Sequence, residues 1–219
     1  MSTTSTPALG RRERKKRETR EALHRAALAA ILERGLAGVT VEEIADEADV
    51  SVRTFFNYFA SKEEAVLGVD PALAAELRAA VLARPDGEEP LASLRAVLVE
   101  TAQRMSADPE AWGRRLQAIR QHPELLTAHL AAWSAVERSL VEAVAIRTGT
   151  DAERDLYPGL VVAAAVGANR VAALHWKGTR SRGGQASLPA LVGQALDVLA
   201  RGLPPPPTAA PATSPSTTP

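Results

Sequence analysis

The chain has 219 residues, with 26 lysines and arginines against 26 aspartates and glutamates, so the formal net charge is zero and attraction to a polyanion must come from local asymmetry. It has no cysteine, which excludes disulfide scaffolds, thiolate metal sites and thiol catalysis. Aromatic residues make up 4% against an apolar total of 46% carried mostly by Ala, Leu and Val, a composition that favours helix over strand and predicts an all-α protein.

In chain order, the opening MSTTSTPALG has no apolar core of the kind a secretory signal needs, and residues 1–11 read as a flexible arm. The most apolar window, Leu160 to Ala168, is far short of the roughly 20 residues of a membrane span, so a cytoplasmic protein with no membrane partner is expected. Pro just inside helix starts and Gly just past helix ends then predict nine helices. The first covers 12–34 and stops at Gly35; two short ones cover 41–48 and 52–59. A fourth starts after Ser61 and runs, with a bend at Pro71, to Arg84. Beyond the loop PDGEEP come helices at 90–106, 109–121, 123–148, 152–177 (opened by Thr150 with Glu153) and 188–203. From Pro204 onward seven prolines and no charge predict a disordered tail over 204–219.

The segment TVEEIADEADVSVRTFFNYF, residues 40–59, reads as two helices joined by a tight turn. Thr40 with Glu43 spells a capping box, Ser51 is a good N-cap, and Asp49 stands in the turn where a left-handed residue is needed and Gly would serve better. Ile44, Ala48, Val50, Phe55 and Phe59 supply the apolar contacts to the first helix, and Ala45 is small where helices cross. A helix-turn-helix lays its second helix in the major groove of DNA, and the residues it would present are Val52, Arg53, Thr54, Phe56, Asn57 and Tyr58. Arg donates in a bidentate way to guanine and Asn to adenine, while Thr and Tyr hydroxyls suit phosphates. Lys62, in the first turn of the next helix, adds a charge to a candidate phosphate site. Between Arg11 and Arg25 eight basic residues stand against three acidic ones, which would supply sequence-independent attraction to the DNA backbone.

These residues resemble the tetracycline-repressor (TetR) family of bacterial transcriptional regulators. The resemblance covers about residues 17–68, and its marks are TREALHRAALAAILERG followed by TVEEIADEADVSVRTFFNYFASKEE. It implies an N-terminal three-helix DNA-binding domain (12–68) and a helical effector-binding and dimerisation domain (69–203). By position it implies that Val52 and Arg53 face bases, that Thr54, Tyr58 and Lys62 hold the backbone, that Phe56 and Asn57 lie at the groove, and that Thr40 is a further phosphate contact. The segments WGRRLQAIRQH and PELLTAHLAAWSAVERSLVEAV are similar to actinobacterial, mycofactocin-regulator-like members, whose effectors are often lipophilic or acyl-CoA-like. The family also pairs its last two helices across a homodimer.

In the C-terminal part Trp112, Leu116, Ile119, Leu130 and Trp133 are candidates to line an apolar pocket, with Arg115 or Asn169 orienting a ligand; ordinary core packing explains the same residues. No nucleotide-binding, serine-hydrolase or zinc-protease motif appears, so no catalytic role, cofactor or metal is expected. The expected function is a homodimeric, ligand-responsive repressor of a palindromic operator. The alternative is a helical small-molecule-binding or interaction protein without sequence-specific DNA binding.

Overall fold

Helix boundaries fall where the chain supplies caps. The computed structural model describes residues 10–70, 72–181 and 184–204, apart from the side chains of Glu13, Pro109, Trp112, Leu116, Arg180 and Ser181. The bend at Pro71, the expected arm up to Leu9 and the tail beyond Pro204 lie outside them. The described residues form α1 (Arg11–Arg34), a short 3-10 turn (Leu36–Gly38), α2 (Val41–Glu47), α3 (Val52–Phe56), α4 (Lys62–Leu67) and α5 (Ala72–Leu82). There follow α6 (Pro90–Met105), α7 (Pro109–Gln121), α8 (Glu124–Thr148), α9 (Leu156–Ser181) and α10 (Leu188–Ala200). The protein is all-helical with ten α-helices among the described residues, one more than the sequence predicts.

The extra helix arises because the single helix expected over 61–84 is two. Gly68 takes a left-handed conformation (φ 59°, ψ 19°) and ends α4, and α5 begins afresh at Ala72, whose N–H is capped by the Asp70 carboxylate at 2.9 Å. The start expected near Ala152 moves to Leu156 because Asp151 caps a preliminary turn, accepting from the N–H groups of Glu153 and Arg154 at 2.8 and 3.0 Å. Pro158 then sits in the first turn of α9, where its missing N–H costs nothing.

Two apolar cores result. The larger draws on α5, α6, α8, α9 and α10, with Leu77, Leu94, Leu140, Val162, Trp176 and Leu196 buried. Arg147, near the end of α8, ties this body to the loop after α5 by donating to the carbonyls of Arg84 (2.9 Å), Pro85 (2.7 Å) and Glu88 (3.1 Å). Arg95 clamps α6 to α10 through a bidentate pair with Asp197 at 2.7 and 3.0 Å. Along Leu156–Thr179, α9 is long and apolar enough to cross a membrane by length and composition, with a mean hydropathy of 1.3 that the short-window reading did not register. Its inward side packs in this core, and Trp176 Nε1 donates to the Ala186 carbonyl at 2.8 Å.

The smaller core gathers Leu23, Ala27, Ile31, Ile44, Ala45, Phe55, Phe59 and Val66 from α1 to α4, and also Ala118 of α7 and Leu125 of α8. The N-terminal head is therefore not packed independently: the corner between α7 and α8 completes its core.

Candidate DNA-binding surface and effector cavity

The turn between α2 and α3 forms as its residue types require. Thr40 Oγ1 accepts from the Glu43 N–H at 3.3 Å while the Glu43 carboxylate accepts from the Thr40 N–H at 2.9 Å, completing the capping box. Asp49 adopts φ 52°, the left-handed conformation the turn demands. Val50 N–H then bonds the Ala45 carbonyl at 3.0 Å, folding α3 back against α2. Ser51 Oγ caps α3 by accepting from the Thr54 N–H at 3.1 Å and lies 2.9 Å from the Thr54 hydroxyl.

α3 is shorter than expected, ending at Phe56, with Asn57 and Tyr58 in a turn that leads Phe59 into the core. Phe55 is fully buried and Phe56, packed edge-on against it at 5.4 Å, is 54% exposed. Arg53 and Asn57 are exposed on this surface and Thr54 is half-buried. Val52 and Tyr58 are half-buried against the core, which limits the surface they present.

Lys62 is the first residue of α4, in the first turn as expected, and its side chain also turns back on the chain. Its ammonium donates to the carbonyls of Leu36 (2.6 Å) and Val39 (2.9 Å), bracing the loop between α1 and α2. At the start of α4 the Ser61 Oγ accepts from the Glu64 N–H at 3.3 Å, and the Glu64 carboxylate reaches back to accept from the Ala60 N–H at 2.9 Å. Only the third Lys62 proton is left for a phosphate. The basic run is likewise divided. Arg17 bonds Glu76 at 3.4 Å and Arg20 is drawn into the structure, leaving Arg11, Arg12, Lys15, Lys16 and Arg25 as exposed cations on α1, with Arg14 paired loosely to Glu18 at 3.7 Å.

Where head meets body lies a cavity of about 320 Å³. α1 lends it Arg20 and His24; the α4–α5 junction lends Gly68 and Val69; α6, α7 and α8 lend Met105, Arg115, Ile119, His129, Trp133 and Val136. Of the residues singled out from the sequence, Arg115, Ile119 and Trp133 meet here. Leu130, one step along α8 from His129, points away and is 60% exposed, because adjacent helical positions lie about 100° apart. Asn169 on α9 is not in the wall, and the side chains of Trp112 and Leu116 lie outside the described residues.

Desolvation dominates the electrostatics of the cavity. Burial lowers the Arg115 guanidinium to about 10, still charged at neutral pH. His24 is pushed down to about 4, first by burial and then by the Arg115 charge. Its Nδ1 lies 2.8 Å from the Ala65 carbonyl, which only accepts, so Nδ1 carries the proton of the neutral ring. Burial and Arg115 also lower His129, whose ring packs edge-on to Trp133 at 6.2 Å.

Sequence reasoning missed Arg20, His24 and Gly68. The signal was present: Arg20, Leu23, His24, Ala27 and Ile31 fall at three- and four-residue intervals, one helical stripe, so the two polar residues belong to the buried side of α1.

A capped helix-turn-helix joined to a helical body with a ligand-sized cavity defines a DNA-binding regulator rather than an enzyme. Residues 23–68 match the tetR family of bacterial regulatory proteins, and residues 88–204 match the MftR C-terminal domain. The chain is 37% identical over 182 residues, 80% of its own length and 80% of the relative's, to the HTH-type transcriptional regulator TcmR of Streptomyces glaucescens. Its fold is similar to FadR of Thermus thermophilus, a TetR-family transcriptional repressor solved in complex with lauroyl-CoA, at 25% identity and a TM-score of 0.52 over 89% of this chain and 100% of that one. It is also similar to SmeT in complex with triclosan, at 20% identity and a TM-score of 0.57 over 87% and 99% of the two chains. The chain belongs to the TetR family of transcriptional regulators, with a C-terminal domain of the MftR type.

Proposed function

We propose that the protein is a cytoplasmic repressor that binds a pseudo-palindromic operator as a homodimer and leaves it when a small lipophilic or acyl-CoA-like effector occupies the cavity. The observation that carries this reading is the position of the cavity, walled at once by α1 of the DNA-binding head and by α6, α7 and α8 of the body. A ligand there touches both parts, as an effector with different affinities for two head positions must. At about 320 Å³ the cavity is at the small end of ligand sites and encloses an acyl chain or a ring system, not the whole of a CoA ester.

On the DNA side, Arg53 and Asn57 read base edges with Val52 and Phe56 beside them, while Thr40, Thr54, Tyr58 and the remaining Lys62 proton hold phosphates. For the dimer, α9 offers Leu156, Leu160, Ala163, Gly167, Val171 and Leu174 on one stripe, with Leu156 88% and Leu160 68% exposed in the single chain. Small residues at its centre let a second copy approach closely, and α10 lies alongside.

Selection of duplexes from a random pool, followed by anisotropy titration with and without a panel of fatty acids and acyl-CoAs, tests the proposal. Enrichment of an inverted repeat and its release by a panel member is the expected result. No enriched sequence would favour the interaction-protein alternative, and an enriched repeat that no amphipathic compound releases would remove the effector role.

A further inference from the structure

Arg20 occupies an unusual position for a residue of a basic run. Its Nη1 donates to the Tyr58 carbonyl at 2.8 Å and its Nη2 to the Val69 carbonyl at 2.6 Å, and its guanidinium lies 4.1 Å from the centre of the Phe59 ring. Tyr58 is two residues past the end of α3, in the turn that leads Phe59 into the core, and Val69 is in the junction between α4 and α5. One side chain thus fastens the turn after α3 to the junction between α4 and α5. The same side chain is part of the cavity wall. Its Nε is buried with no hydrogen-bond partner among the described residues, and so is Nδ1 of His129 in the same wall.

Three acidic side chains, Glu21, Asp70 and Glu76, share the wall with four arginines, Arg17, Arg20, Arg104 and Arg115, and two of the three already have partners. Glu76 bridges Arg17 and Arg104, at 3.4 and 3.7 Å, and Asp70 caps Ala72. Buried Arg115 adds a positive charge to the wall. A carboxylate or sulfonate placed here meets the Arg20 guanidinium, whose hydrogen bonds now go to the neutral carbonyls of Tyr58 and Val69, and a charged acceptor makes the stronger bond.

We propose that Arg20 is the positioning residue through which the cavity controls the recognition helix: an anionic head group takes its guanidinium from the carbonyls of Tyr58 and Val69 and so frees the end of α3 and the α4–α5 junction. This rests on the reading of the cavity as the effector site and specifies that reading: the effector is a compact amphipathic anion, and its uncharged counterpart binds without signalling.

Hydrogen exchange of the full-length protein tests the inference with two probes that differ by one charge, anilinonaphthalene sulfonate and the neutral N-phenylnaphthylamine. The sulfonate is expected to speed exchange of amides in 52–59 and 68–70 by about tenfold, the effect of losing one charge-assisted hydrogen bond, and the neutral probe to leave them unchanged. In Arg20→Gln the same amides exchange fast without any probe and the sulfonate adds nothing; Arg20→Lys, which keeps the charge and one carbonyl bond, lies between. If Arg20→Gln does not fold, Arg20→Lys alone must still show a reduced response. Ala132→Phe, which narrows the cavity, should abolish sulfonate binding. Binding that survives it places the sulfonate elsewhere and overturns the cavity reading together with the relay. Binding that Ala132→Phe abolishes, but that leaves 52–59 unchanged in the wild-type chain, overturns the relay alone and leaves Arg20 a structural brace.

Discussion

Gly68 and Gly149 end α4 and α8 in nearly the same left-handed conformation, φ 59° with ψ 19° and φ 66° with ψ 26°, yet their surroundings differ. A Cβ added at Gly149 would meet nothing within 4 Å. One added at Gly68 would lie 2.5 Å from Nδ1 of His24 and 2.7 Å from its Cγ and Cε1. Both alanine substitutions carry the left-handed penalty of roughly 1–2 kcal/mol. Only Gly68→Ala must also push the His24 ring off the Ala65 carbonyl, costing about 1 kcal/mol for the hydrogen bond and at least as much for repacking. Urea unfolding should therefore show Gly149→Ala losing about 1–2 kcal/mol and Gly68→Ala about 3–4 kcal/mol with an unchanged slope. In a double-mutant cycle, His24→Ala should recover most of the difference, a coupling of about 2 kcal/mol. Equal losses at the two glycines, or no coupling to His24, would refute the steric reasoning.

Arg53→Ala should cost about 1–3 kcal/mol of operator affinity concentrated at particular base pairs, read by titrating a series of single-base variants; a uniform loss would reassign Arg53 to phosphate. Deleting residues 1–16 removes Arg11, Arg12, Arg14, Lys15 and Lys16 and should lower the slope of log affinity against log salt by about 0.9 for each phosphate no longer neutralised; an unchanged slope would show that this end of α1 does not touch DNA. Because folding holds the His24 ring neutral down to about 4 against an ordinary 6.5, the unfolded chain takes up the proton first as pH falls. Stability from this group is complete above about pH 6.5 and lost between 6.5 and 4, up to roughly 3 kcal/mol, and His24→Gln should flatten that part of a urea-midpoint profile. Trp133→Ala should lose less than the roughly 3–5 kcal/mol of a fully buried aromatic while altering the response to cavity ligands, since Trp133 is only half-buried at the wall; a full loss with unaltered response would return it to the core.

The head was legible because its signals are local. The capping pair Thr40 and Glu43, the turn residue Asp49 and the paired Phe55 and Phe59 lie within a few residues of their partners. The break at Gly68 was not, because an apolar pattern running on past a glycine does not reveal that a ring 44 positions earlier needs the space of its missing side chain. The pocket was half legible for a similar reason. Residue type makes Trp133 and Leu130 equal candidates for an apolar wall, yet which of them faces it depends on which side of α8 the head covers, a tertiary fact. Charge was the least legible property. Counting groups Arg20 and Lys62 with the other cations of the head and does not show that both donate to backbone carbonyls within it, because formal charge does not distinguish a solvated cation from one that also braces the chain.

How far one strut can move a DNA-binding equilibrium is a question of magnitude. Shifting a population from 1:99 to 99:1 takes about 5.5 kcal/mol of differential affinity, and no contact that is equal in both states contributes to it. Each Arg20 bond to a carbonyl is charge-assisted and worth about 1.5–3 kcal/mol, so the two bonds to Tyr58 and Val69 supply about 3–6 kcal/mol in each protomer. An anion that breaks both recovers most of that in its own bonds to the guanidinium. The net bias therefore comes from the loss of the tie between the turn after α3 and the α4–α5 junction, doubled in the proposed dimer. Apolar contacts of Trp133, Ile119 and Val136 with the ligand tail do not change that bias if α7 and α8 keep their places; they set affinity, and the charge sets response. A neutral analogue with the same tail should accordingly compete with the active anion for the cavity and leave the operator bound.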